Sequence, residues 1–188
     1  MNSLNLLQGF VTFGVASLVP LYAEQRYHLD PLSAGGLLTA RAIGAIAIGV
    51  FAVFALRRTG YRLPIFVGFC VIAVGTILMS VAPRWGVTPF VWLSICVAVI
   101  GLGLGTVNPA ASNACMRLAP DQAAAITGLR SMFLNLGVIF CVSITTAILN
   151  RSSDPSTTQA HLFWVVTAII FVAMPPLVAR IPEHKGHW

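Results

Sequence analysis

Charge is the scarcest component of this 188-residue chain: five acids and eleven bases make up 9% of it, where a soluble domain carries roughly a quarter. So few ionic groups cannot cover a fold in water. With 57% hydrophobic residues and a mean hydropathy of +0.88, the chain's main solvent is lipid. Paired cysteines are also missing. Cys70, Cys96, Cys115 and Cys141 lie in or beside apolar runs without CxxC or disulfide-scaffold spacing, and they read as small buried hydrophobes. A continuous basic face is absent too, so the net charge of +6 reflects membrane topology rather than nucleic acid. The first apolar run has no basic leader and no small-residue cleavage site, which argues against a secretory signal.

Catalytic constellations are lacking as well. No Ser, His and Asp grouping and no zinc-protease helix is visible, and Glu24, His28 and Asp30 share one loop with nothing to pair with. His184 and His187 on the tail are too few to hold a metal. Neither an enzyme, a cofactor nor a metal is expected.

What the chain does have is long apolar runs. A helix needs about 20 apolar residues to cross a hydrocarbon core of about 30 Å, and six runs qualify: 3–23, 35–56, 63–82, 89–109, 123–149 and 161–179. Each is continuously apolar, where a barrel strand would alternate over about ten residues. The expected fold is an all-α bundle of six transmembrane helices forming a single domain over residues 1–188. Outside the spans, the second loop, fourth loop and tail hold Arg57, Arg58, Arg62, Arg117, Arg180 and Lys185, while the other loops hold Arg26, Arg84 and Arg151. The positive-inside rule then puts both termini in the cytoplasm.

The spans read as two triplets. Spans one and four carry polar residues, spans two and five one arginine each, and spans three and six no charge, as an inverted repeat of a secondary transporter would. Asn5, Gln8 and Thr12 are three and four residues apart and share one helical stripe. They are cavity-lining candidates, the alternative being that Asn5 and Gln8 reach headgroups from the helix end. Arg41 and Arg130 sit about 10 Å inside their spans, where a charge costs about 2.5 to 3.5 kcal/mol, so each is either a substrate contact or a structural arginine bonded between helices. Gly101 and Gly105 form a GxxxG pair for close packing. Asn108 and Asn113 become pore contacts if the helix continues past Pro109. No acid lies in any span, so a proton-coupling carboxylate belongs to another half or another chain.

The run from Phe54 to Arg62 resembles the loop motif of the major facilitator superfamily, with Arg58, Gly60 and Arg62 matching and Val53, Arg57 and Tyr61 replacing the motif's glycine, aspartate and first closing base. Gly101 to Ala111 with Asn113, and Thr127, Gly128 and Leu129 with Asn135, Leu136 and Gly137, are similar to helices of its drug:proton antiporter branch. The resemblance implies the C-terminal six helices of a two-bundle carrier, with spans one and four on the cavity. It implies multidrug efflux across the plasma membrane, with Arg58, Gly60 and Arg62 in the conformational loop. The implied partners are the bilayer, a small organic substrate, and a missing six-helix half or a second copy of the chain. The competing expectation is a non-transporting membrane module that binds a partner through its small-residue faces.

Overall fold

The computed structural model describes residues 2–59, 62–81, 88–118, 123–152 and 154–179, without the side chains of Asn2, Thr12, Phe13, 50–59, 115–118, Ala123, Pro155, Ser156 and Ala179. Every regular element among these residues is helical. Span one consists of α1 (Asn2–Gln8), a π-helical turn (Gly9–Gly14) and α2 (Val15–Tyr27). Spans two to six are α3 (Pro31–Thr59), α4 (Arg62–Ser80), α5 (Pro89–Leu118), α6 (Ala123–Leu149) and α7 (Pro155–Ala179). All six are long and apolar enough to cross a membrane. The fold is the expected all-α one, and the chain is an integral membrane protein.

The helix ends are written in local chemistry. Three helices start with proline directly after a capping residue: Pro31 after Asp30, Pro89 after Thr88 and Pro155 after Asp154. Proline has its dihedral pre-set for the first helical position and no N–H to leave unsatisfied there. The carbonyls of Asp30, Thr88 and Asp154 accept the first helical bonds from Ala34, Trp92 and Thr158 at 2.9, 3.1 and 3.2 Å. Spans two and six therefore begin upstream of the expected Gly35 and His161, because their first turns are too polar to count as apolar run.

Span one continues past Ala23 to Tyr27 and carries Glu24 into its last turn. It stops at His28, which takes the left-handed conformation at φ 52° and ψ 36°. Leu29 N–H then donates to the Ala23 carbonyl at 3.4 Å, a C-terminal lock normally built on glycine. Span four runs through Pro109 to Leu118 instead of ending at the proline.

Packing follows the repeat. Spans two and four lie together, as do one and five; span three packs on four as span six packs on α2; and spans three and six close the bundle against each other. Exchanging each span for the one three later maps this set of pairs onto itself. Glycine sets the register. A Cβ at Gly44 would run into the Ala98 carbonyl and one at Gly101 into that of Arg41, while Gly137 and Gly9 meet the carbonyls of Leu6 and Leu134 in the same way. Gly44 and Gly137 are 93 residues apart, as are Arg41 and Leu134, whereas Leu6 to Ala98 and Gly9 to Gly101 span 92. On the self-paired seam, the buried hydroxyls of Thr76 and Thr167 lie 2.9 Å apart. These contacts are the 3+3 inverted repeat in atomic terms.

Candidate functional site

Asn5 and Gln8 share a face of α1, and that face turns into the bundle: they are 1% and 0% exposed. Gln8 Nε2 donates to Asn108 Oδ1 at 2.6 Å, joining spans one and four across 100 residues of sequence. Because α5 is continuous through Pro109, Asn108 stays on a helical face opposite α1, half-buried with Asn113 one and a half turns further along. In this conformation the sequence's polar stripe is an interhelical contact. Thr12 belongs to the π-turn, and its side chain lies outside the described residues.

The two arginines are half-buried and are not equivalent in the repeat. Arg41 corresponds to Leu134 by the packing register, so Arg130 falls one helical turn away from its counterpart position. Because α3 starts at Pro31, Arg41 lies ten residues, about 15 Å, along the helix from its first residue. Its backbone carbonyl lies against Gly101, so the arginine is carried on the face of span two that meets span four. Arg130 is seven residues, about 10 Å, along the helix from the first residue of α6. Of the loop motif, half-buried Arg62 opens α4, while Gly60 and the side chain of Arg58 lie outside the described residues.

Gly101 and Gly105 have the packing role: both contact span two, at Arg41 and Ala45, while Gly103 faces span three at Gly68 and Ile72. One helix thus touches two neighbours at backbone distance, because alternate glycines point to either side.

Sequence reasoning missed the polar flank of span five. Ser131, Asn135, Ser143 and Thr146 are exposed on one side of α6 with Met132 and Ile139, and exposed Leu129, Phe140 and Ile144 make an apolar strip beside them. Gly137, Cys141, Thr145 and Leu149 form the buried third side. An amide facing lipid loses its hydrogen-bond partners, about 2 to 7 kcal/mol in hydrocarbon, so the two exposed strips suit different surroundings. A four-residue polar spacing at Thr127, Ser131 and Asn135 was the available signal. Span two exposes the equivalent strip, Gly35, Ala42 and Ile46, at positions 93 residues before Gly128, Asn135 and Ile139.

Comparison with known proteins agrees with this architecture. The sequence profile described as the Major Facilitator Superfamily matches residues 1–188. The chain is 26% identical over 149 residues to the multidrug resistance protein fnx1 of Schizosaccharomyces pombe, covering 75% of this chain and 27% of that protein. It is 23% identical over 177 residues to the riboflavin transporter RibZ of Clostridioides difficile, covering 88% and 38%. It is 30% identical over 141 residues to the multidrug resistance protein B homolog of Mycobacterium tuberculosis, covering 73% and 25%. The chain therefore spans between a quarter and two fifths of the length of these relatives. A sequence matched by the family profile from end to end, and folded as two inverted triplets of membrane helices, belongs to the Major Facilitator Superfamily.

Proposed function

We propose that the chain forms one wall of a secondary transporter that exports small organic molecules across the plasma membrane by alternating access, with both termini in the cytoplasm. The observation that carries this reading is the sidedness of α6, where a polar strip and an apolar strip are exposed on adjoining sides. Serine and threonine hydroxyls can bond their own helix backbone, but the exposed Asn135 amide is not fully satisfied that way and belongs against water, substrate or an opposing wall. Family membership and the transporter names of the relatives support the same class. The opposing wall is a second six-helix half or a second copy of the chain.

In this reading Arg41 and Arg130 hold the substrate's acceptor groups. Asn113 and Thr12 contribute polar contacts, and Asn5, Gln8 and Asn108 become accessible when spans one and four part. Arg58, Gly60 and Arg62 act in the loop between spans two and three. Proton coupling is assigned to a carboxylate on the opposing half, since the one acid within the described spans, Glu24, lies in the last turn of α2, at the end of span one rather than in its middle.

Transport of an ethidium-type dye and of riboflavin in inverted vesicles, made from cells expressing the complete assembly, tests the proposal. Arg41→Ala and Arg130→Ala should insert normally and lose at least tenfold in transport rate; wild-type rates in both would remove the arginines from the mechanism. The enclosure of Asn5 and Gln8 favours a second reading, the packed module that moves nothing. That reading predicts no dye or riboflavin flux above empty vesicles.

A further inference from the structure

Span one is held differently at its two ends. Spans three and six clamp α2: Gln159 Nε2 donates to the Leu18 carbonyl at 3.0 Å, Tyr22 Oη donates to the Met79 carbonyl at 3.1 Å, and the Tyr22 ring meets Phe163 edge-on at a centroid distance of 5.2 Å. The other end, α1, lies on span five at backbone distance where the Leu6 carbonyl meets Gly137, and on span four through the Gln8–Asn108 hydrogen bond. Between these two segments stands the π-turn Gly9–Gly14.

The repeat explains what that turn is. In the second triplet Gly101 and Gly105, four residues apart, both meet span two; in the first triplet Gly9 and Gly14, five residues apart, both meet span five. Residues four apart on an α-helix differ in direction by about 40°, and residues five apart by about 140°. The two glycines of span one reach the same neighbour only because one turn is widened to i→i+5. The register confirms the count: Gly14 contacts Cys141 and Gly105 contacts Ile48, so the offset between triplets, 92 at Gly9, has become 91 at Gly14. One residue has been inserted inside the π-turn. Wide turns of this kind are where helices bend.

We propose that the π-turn is the hinge of span one: α1 moves with span five about Gly9–Gly14 while α2 stays fixed on spans three and six. The Gln8–Asn108 bond is the catch that holds α1 against span four in the conformation described. The purpose of the movement rests on the transport reading; the hinge itself does not.

Hydrogen exchange on the intact protein in lipid nanodiscs tests the hinge without any transport assay. Amides of residues 9–14 should exchange about tenfold faster than those of 16–22, and Gln8→Leu should raise exchange over 2–14 about tenfold while leaving 16–27 unchanged. Deleting Val11 restores the four-residue glycine spacing. It should slow exchange over 9–14 to the level of α2 and cut dye transport by the complete assembly at least tenfold at equal expression. Even exchange across 2–27 in both wild type and Gln8→Leu overturns the proposal, whether or not the deletion variant folds. So does a folded Val11 deletion with wild-type transport. Hinge-like exchange in a protein that moves no dye would instead overturn the transport reading and leave the hinge standing.

Discussion

At the scale of single residues, the bundle depends on a few polar contacts placed where lipid supplies no substitute. The Gln8–Asn108 bond is one of them, and its worth is measurable as a coupling. Gln8→Leu and Asn108→Leu, each removing one side of this contact, should each cost about 1 to 3 kcal/mol in detergent unfolding. The double variant should recover part of that loss, with a coupling near 1 kcal/mol, in the range found for hydrogen bonds between membrane helices. Strict additivity would show that the 2.6 Å contact contributes nothing. His28 is a second case. Its left-handed backbone costs a side chain about 1 to 2 kcal/mol, so His28→Gly should stabilise the end of α2 by about 1 kcal/mol in the same measurement. Asn5, Gln8 and Asn108 were all legible as polar residues in apolar runs. Their mutual pairing was not, because a stripe states which face is polar and not what lies opposite.

At the scale of elements, glycine determines which helices can touch. Gly137 lies against the Leu6 carbonyl, so Gly137→Ala must push spans one and five apart and should cost at least about 2 kcal/mol. Gly128, on the same helix, has open space around it, and Gly128→Ala should gain up to about 1 kcal/mol of helix propensity. Equal effects of the two substitutions on thermal unfolding would contradict the packing register. Much of this level was readable beforehand: six spans, their triplet grouping and the GxxxG pair all follow from composition and spacing. The starts of spans two and six were displaced because Asp-Pro caps and polar first turns govern a helix N-terminus more than apolar content does. The π-turn escaped because its signal, Gly9 and Gly14 five apart against Gly101 and Gly105 four apart, is visible only once the two triplets are laid in register.

At the scale of the molecule, the account turns on which side of span five is wet. The polar flank was missed in the sequence because an exposed asparagine in an apolar run looks the same whether it faces a helix, a cavity or lipid; only the buried side defined by Gly137, Cys141 and Thr145 separates the choices. In a background free of native cysteines, Ser131→Cys, Asn135→Cys, Phe140→Cys and Ile144→Cys, introduced singly into the complete assembly in membrane vesicles, can be titrated with a membrane-impermeant thiol reagent. Alternating access predicts labelling at positions 131 and 135, at least tenfold faster than at 140 and 144. Equal protection of all four positions, while loop cysteines react, would contradict an aqueous path along this wall.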